Sequence, residues 1–284
     1  MPFDMNFLPF NYDMPESIDF DIAFEPTKVD DQKYVINTTT GEYLRVVGKD
    51  FTCVSHPEHY NGVVNTIVDT LGEEALTDAQ VTWRVARNGG WSMMDMVLPS
   101  VTNFVRTSKH ETEVSQRVIS LHGVDASCSS LCLHGWIDSF CTNGCISGEH
   151  DKVKRKHTSG FNFDMFQMQL RDSQRSFREQ AEKLQLWAEH TVYVDEVKAM
   201  LDDMIKSKQK AEKMYALYCA EASVRGHNKY AVYSAFTNYS SWADERNGFN
   251  LRDTGYDTKN ISMFNRELEV SQWIDSPQFR MLSV

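Results

Sequence analysis

The pattern of apolar and polar positions changes at about residue 161. Upstream, short β-rich runs are separated by glycine-containing turns, which is typical of antiparallel strands. Downstream, apolar residues recur at spacings of three and four, the period of an amphipathic helix. The order of elements is hairpin, helix, hairpin, two strands and then several helices. It predicts an α+β fold, with an antiparallel sheet and a packed helix in the N-terminal half and a helical C-terminal half.

The first hairpin and the first helix are predicted side by side. Residues 43–47 and 51–55 are β-rich and flank Gly48-Lys49-Asp50, so we expect a hairpin around this turn. His56-Pro57 then begins a helix that continues to about Glu74, because proline is favoured in the first turn of a helix. Apolar residues along this helix form one stripe, which predicts that it packs on the sheet.

The second hairpin joins 81–87 to 91–98 through Asn88-Gly89-Gly90. Asn-Gly supplies the positive φ angles that a tight turn requires. Alternation along the first strand predicts one buried face and one polar face that carries Arg84 and Arg87. These two arginines are either simply exposed to solvent on that face or line a surface that binds along a phosphate backbone.

The remaining elements complete a three-part organisation. Strands are predicted at 114–121 and 131–140, and helical spacing is found over 166–188, 197–222, 230–244 and 264–274. We therefore divide the chain into an acidic irregular arm (1–33), an α+β sheet domain (34–160) and a helical region packed on it (161–284).

The N-terminal arm combines acidic residues with scattered aromatic residues and prolines. Residues 1–44 contain nine acids and two bases, which accounts for −7 of the net charge of −11. No helical or strand period is sustained in residues 1–33. Either its aromatic residues dock on the body of the protein, or it is an acidic tail that mimics DNA or docks on a neighbouring subunit.

Composition limits the functional classes. Hydrophobic residues make up 41% and charged residues 24%, as in ordinary globular proteins. The chain has no apolar run long enough to cross a bilayer and no secretory signal, so we expect no membrane partner, a cytoplasmic location and reduced cysteines. A net charge of −11 argues against a protein that coats nucleic acid with its whole surface, yet a local basic groove is compatible with it.

The densest basic run precedes a predicted helix start at Thr158-Ser159-Gly160. Cations followed by free backbone N–H groups suit contacts with phosphate, whereas the plainer interpretation is a solvated surface loop. The predicted nucleic-acid contacts are Lys152, Lys154, Arg155, Lys156 and His157, with Arg84 and Arg87 as auxiliaries.

Four cysteines raise two other possibilities. Cys128, Cys132, Cys141 and Cys145 form two pairs, each with three intervening residues, a spacing that is loose for a structural zinc site. Cysteines in a reduced protein are more commonly small buried residues. Cys141 with His157 is also conceivable as a nucleophile and base, although sequence cannot show that the two side chains meet. The chain has no Walker-type loop, GxGxxG or HExxH motif, and we expect neither a catalytic site nor a cofactor.

Short motifs in this stretch resemble the phage/plasmid-like proteins of the domain-of-unknown-function family 932. They read His122-Gly123, Phe140-Cys141-Thr142-Asn143-Gly144 and Arg155-Lys156-His157-Thr158, followed by Ala235-Phe236-Thr237-Asn238-Tyr239. Ser234 stands where the family usually has asparagine, and Trp242 near an expected histidine. The resemblance covers about 43–248 and implies a phage, prophage or plasmid setting and no known reaction.

Two functional hypotheses follow, beside the third possibility of an enzyme that depends on Cys141 or on zinc. In the first, the chain is a phage-type, non-enzymatic protein that binds single-stranded DNA and assists annealing, since the order of its elements is similar to that of single-strand annealing proteins, which form oligomeric rings. We then expect a homo-oligomer in the host cytoplasm. In the second, the chain is a mobile-element protein that binds a host factor, in defence or takeover, through its acidic aromatic arm.

Overall fold

The structure is a computed structural model that describes residues 14–138, 143–146, 152–155, 157, 164, 167–168, 171–172, 182–243 and 256–282. For residues 143–146, 152–155, 242 and 256–260 it describes the backbone alone. Over these ranges the chain forms two antiparallel sheets and a set of helices, which confirms the predicted α+β class.

The smaller sheet has the strand order β1-β2-β3, and the larger has the order β4-β5-β6-β7-β8, with β9 also paired to β7. All described pairings are antiparallel. The strands are β1 (Ile22–Pro26), β2 (Gln32–Asn37), β3 (Tyr43–Gly48), β4 (Gln80–Ala86), β5 (Trp91–Arg106), β6 (Glu111–Gly123), β7 (Ser130–Asp138), β8 (Asn143–Ile146) and β9 (Lys152–Arg155).

Helices dominate the second half of the chain. The named helices are α1 (His56–Leu71), α2 (Val194–Met204), α3 (Lys208–Arg225), α4 (Lys229–Trp242), α5 (Tyr256–Asp275) and α6 (Pro277–Met281), and residues 182–189 are also helical. No helix in the described ranges is both long enough and apolar enough to span a bilayer.

Helix α1 begins where the sequence predicts. Its N-cap is Ser55, whose Oγ accepts a hydrogen bond from the backbone N–H of Glu58 at 3.3 Å, and Pro57 lies in the first turn. It ends at Gly72, whose φ of 90° suits glycine. The buried stripe of Tyr60 and the aliphatic residues after it packs on the larger sheet.

Period-two alternation sends neighbouring residues of the larger sheet to opposite faces. On β6, Val118 packs with α1, whereas Ile119 and Leu121 pack with Phe264 of α5. The sheet is therefore buried on both faces. Beyond this central part, Trp136 of β7 belongs to a third cluster with residues 182–189, α2, α3, α4 and α6.

Several predictions are confirmed. The second hairpin is β4–β5, and the strands predicted at 114–121 and 131–140 correspond to β6 and β7, with 139–140 outside the described residues. Of the predicted helices, 197–222 is divided into α2 and α3, 230–244 corresponds to α4, and 264–274 lies within the longer α5; much of 166–188 lies outside the described residues. The turn of the second hairpin differs in detail, because Arg87, Asn88 and Gly89 all have positive φ (57°, 52° and 82°). A Cβ on Gly89 would lie 2.2 Å from the carbonyl oxygen of Ser17, so glycine allows the N-terminal segment to pass.

Two predictions about the N-terminal region are wrong. Residues 51–55 are not a strand, and β3 pairs back with β2. Phe51 and Cys53 are buried beneath the smaller sheet, so their alternation reflects packing of an extended connection that leads to the cap of α1. The segment 14–33 is not an irregular arm, because it contains β1 and its buried Ile18 packs against the body.

Candidate functional site

The backbone of the basic run forms a strand at the outer side of β7. In β9, Lys152 lies opposite Leu133, Lys154 opposite Leu131, and Arg155 opposite Ser130. Lys156 lies outside the described residues. The run is therefore built into the larger sheet and is not a loose loop.

His157, which follows the run, is buried in the protein interior. It is 7% exposed, and its ring stacks on Phe51 with the centroids 5.5 Å apart. Its Nε2 lies 3.3 Å from Oγ of Ser130. The sequence predicts His157 among the nucleic-acid contacts, and the structure instead seats its side chain inside the fold.

The auxiliary arginines do not join the basic run. Arg84 lies on β4, four strand spacings from β9, which is on the order of 19 Å along the sheet. Arg87 lies in the turn after β4, where its Nε donates to Oδ2 of Asp125 at 2.8 Å. The structure therefore places Arg84 at a distance from the run and pairs Arg87 with a carboxylate.

Four histidines meet beneath the basic strand. His56 and His59 come from the first turn of α1, His122 comes from β6, and His157 lies two residues after β9. The rings of His59 and His122 are stacked with their centroids 4.3 Å apart, and the rings of His56 and His157 each lie 5.2 Å from that of His122. We call these four residues the histidine cluster.

One hydrogen-bond chain of the cluster runs from Tyr60 to Gly89. A carbonyl oxygen only accepts, so Nε2 of His56 donates to the Gly89 carbonyl at 2.8 Å. Nδ1 of the neutral ring then accepts from Ser92 at 2.8 Å, and Ser92 accepts from the Tyr60 hydroxyl at 2.8 Å. The proton positions in this chain are thereby determined.

A second chain runs from His157 to Val54. Nε2 of His122 donates to the Val54 carbonyl at 3.0 Å, so its Nδ1 accepts from the Ser130 hydroxyl at 2.9 Å. That hydroxyl has one hydrogen, and consequently Nε2 of His157 donates to its oxygen. His59 contacts Ser120 separately, with Nε2 and Oγ 2.8 Å apart.

Burial keeps the cluster neutral at physiological pH. Loss of solvent disfavours the charged imidazolium and lowers the pKa of His56 and His157 to about 4. The pKa of His59 and of His122 lies well below the usual range, first through burial and then through the neighbouring histidines. Neutral rings paired with hydroxyls and carbonyls form a rigid hydrogen-bonded unit that can hold the surrounding strands in register.

The cysteines whose side chains are described do not converge. Cys128 packs in the cluster beneath α5 and Cys132 in the cluster beneath α1, on opposite faces of the sheet. Cys141 and the side chain of Cys145 lie outside the described residues, and the Cys141–His157 pairing lies there too. Within the described ranges, no group of three or more His, Cys, Asp or Glu residues is arranged to hold a metal ion.

Sequence reasoning missed the cluster as a unit. Its signal was a set of small hydroxyl residues on strand positions that face α1, between apolar neighbours such as Met94, Val118 and Cys132. Ser92 is opposite His122, and Ser120 is opposite Cys132. Their partners come from α1, so only the packing of that helix reveals the network.

A comparison with known protein families identifies the family of this chain. A family described as Domain of unknown function (DUF932) matches residues 43–263, more than three quarters of the chain. The chain belongs to the DUF932 family. Neither the curated proteins nor the solved structures contain a match.

The DUF932 match includes all four histidines of the cluster and β9, and it excludes β1 and β2. His122 and His157, which lie in two separate family motifs of the sequence, are joined through Ser130. In the fourth motif, Asn238 donates to Glu221 at 3.2 Å, and Ser234, directly before this motif, accepts from the buried Arg225 at 3.1 Å. These contacts connect the fourth motif to the interior of the helical part.

Proposed function

We propose that this DUF932 protein binds single-stranded DNA non-enzymatically through the basic run 152–156 and assists annealing, as a homo-oligomer. The observation that supports the proposal most is the structure of the run itself. Three of its four cations occupy a strand, β9, that is paired to β7 and followed by the buried His157. A phosphate-binding surface gains affinity when its cations are held in place before binding.

Strand geometry suits contacts with a nucleic-acid backbone. Residues two apart on a strand lie about 7 Å apart, so the Cα atoms of Lys152 and Lys154 repeat along β9 at that interval. Lysine and arginine contact phosphate without reading base sequence. The proposed binding is therefore tolerant of sequence.

The net negative charge of the protein determines where nucleic acid can bind and how binding depends on salt. The net charge of −11 repels nucleic acid from most of the surface and confines contact to a local basic region. Binding that depends on a few cations falls steeply with salt, because each neutralised phosphate of a single strand contributes about −0.7 to the slope of log K against log salt.

The test compares two variants with the same change in net charge. In the first, Lys152, Lys154, Arg155 and Lys156 are all replaced by glutamate. We expect it to lose binding to a fluorescein-labelled oligonucleotide, measured by fluorescence anisotropy at low salt, by at least about 100-fold, since several charge contacts become repulsive.

The matched control replaces four exposed lysines elsewhere, namely Lys28, Lys183, Lys206 and Lys208, by glutamate. It is expected to bind within a few-fold of the wild type, with the residual change reporting on net charge alone. Equal losses in both variants, or no binding by the wild-type protein, would overturn the proposal. Light scattering on the same samples tests the homo-oligomer.

Binding of a host protein through the acidic arm has less support in the structure. Met14, Ile18 and Phe20 pack on the body, so this part of the arm is committed to the fold. Only a deletion confined to residues 1–13 would test that alternative without removing packed residues.

A further inference from the structure

The histidine cluster and the basic strand share one residue, Ser130. Its backbone pairs with Arg155 of β9, and its side chain lies between His122 and His157. Ser130 therefore contacts both the end of the cationic strand and the first described residue beyond it. This double contact couples the position of the strand to the interior.

The orientation of the hydrogen-bond chain follows from its fixed end. The Val54 carbonyl can only accept, which places hydrogen on Nε2 of His122 and leaves Nδ1 to accept from Ser130. The oxygen of Ser130 then accepts from His157. Reversing donors and acceptors along His122, Ser130 and His157 would break the hydrogen bond to the Val54 carbonyl. His157 also has a hydrogen bond to the backbone of Thr52, so Ser130 is one of two polar contacts that hold its ring.

Packing holds His157 in this position from the other side. Phe51 stacks on its ring at 5.5 Å, and Phe51 is itself buried with Val35 and Val47 beneath the smaller sheet. Withdrawal of His157 would expose this apolar surface and leave the Ser130 oxygen without its donor. The residue is consequently well placed to resist separation of β9 from β7.

We propose that His157, through Ser130 and His122, is a positioning residue that fixes the cationic strand β9 for phosphate contact and does not itself contact the ligand. The identity of the ligand as a phosphate backbone rests on the proposed function. The positioning of β9 can be tested without nucleic acid.

The first experiment measures amide hydrogen exchange of residues 152–155 in His157→Leu and His157→Gln. Leucine fills space and removes the donor, and we expect exchange of these amides to become about tenfold faster. The glutamine side chain keeps an N–H group at a similar distance from the backbone, so exchange should stay within about threefold of the wild type.

The matched control is His134→Leu. His134 is also a fully buried histidine on the face of the sheet towards α1. It does not belong to the hydrogen-bond chain formed by His157, Ser130 and His122. It controls for general loss of stability on losing a buried imidazole. Exchange at 152–155 should remain close to that of the wild type in this variant.

A double-mutant cycle with Ser130→Ala adds a readout that a general packing role would not show. Because Ser130 and His157 act through one hydrogen bond, the double variant should exchange no faster than the more affected single variant. Additive effects, unchanged exchange in His157→Leu, or failure of His157→Gln to restore protection would each overturn the inference.

The connection to ligand binding is tested with the same oligonucleotide. His157→Leu should bind about three- to tenfold more weakly, and its salt slope should fall by about 0.7 for each phosphate that the strand no longer neutralises. An unchanged salt slope in His157→Leu, with binding abolished in the four-glutamate variant, would overturn the positioning role and leave the proposed function standing. If the four-glutamate variant binds normally, the proposed function falls, and hydrogen exchange still decides whether His157 fixes β9.

Discussion

Two buried polar regions occupy opposite faces of the same strand, β6. On the face towards α1, His122 and Ser120 belong to a network of neutral imidazoles, hydroxyls and carbonyls. On the face towards α5, Arg117 forms two bonds to Asp95 at 2.8 and 2.6 Å and one to Glu267 at 2.9 Å. Buried polar side chains of one strand thus find their partners in two different ways, through neutral hydrogen bonds on one face and through ion pairs on the other.

The difference between the regions lies in what remains when one partner is removed. In the histidine cluster, removing one hydroxyl leaves a neutral group without a hydrogen bond, which has a moderate cost. In the arginine region, removing Arg117 leaves two carboxylates close together, and that of Glu267 is fully buried. An uncompensated buried charge costs considerably more.

The largest effect is expected for Arg117→Met. It should lower the free energy of unfolding by roughly 3–5 kcal/mol, because Asp95 and Glu267 lose their common cation. Denaturation in urea measures this change. Adding Glu267→Leu should restore part of the stability, since it removes the buried carboxylate.

The control is the exposed ion pair between Arg106 and Glu111, with Nε and Oε2 2.6 Å apart. Arg106→Gln should change stability by less than about 1 kcal/mol, because water screens exposed charges. A loss in Arg117→Met as small as that in Arg106→Gln would contradict the distinction between the two regions.

The next effect is acid sensitivity of the histidine cluster. The pKa of His56 and His157 is about 4 in the folded chain, against about 6.5 when unfolded. Between these values the unfolded chain binds protons that the folded chain does not, so their stabilising contribution is complete above pH 6.5 and is lost as the pH falls. Each contributes up to roughly 3 kcal/mol over this interval.

Thermal melts between pH 7.5 and 5 measure this dependence. The arginine region works in the opposite direction, since burial raises the pKa of Glu267 and favours proton uptake by the folded chain. The melts are therefore also made with Glu267→Leu, which removes this opposing group. Melting temperatures of that variant that stay constant or rise on acidification would show that the cluster is not held neutral.

The smallest effect is expected for Tyr60→Phe. This change removes the hydroxyl that donates to Ser92 and keeps the buried ring, so we expect a loss of about 1 kcal/mol in the free energy of unfolding. Urea denaturation at pH 7.5 is the measurement. A loss comparable with that of Arg117→Met would mean that the neutral network is as intolerant of a missing partner as the charged one.

Local sequence determined the elements. Ser55 and Pro57 specify the start of α1, alternation in 81–85 specifies a half-buried strand, and Gly226 with Asn228 separates α3 from α4, all of which a single sequence reveals. Each of these signals acts within a few residues, which is why it can be recognised without knowing the fold.

Only the tertiary structure decided which elements meet. The sequence indicated His122 and His157 separately, and the strand at 43–47 was assigned the wrong partner, because strand pairing depends on contacts far apart in the chain. In the sequence, Arg117 looks like an ordinary cation on a strand. Its ion pair with Glu267 of α5, 150 residues away, is found only in the folded structure. A charge or an imidazole acquires its pKa and its energetic role from its neighbours, and folding alone supplies those neighbours.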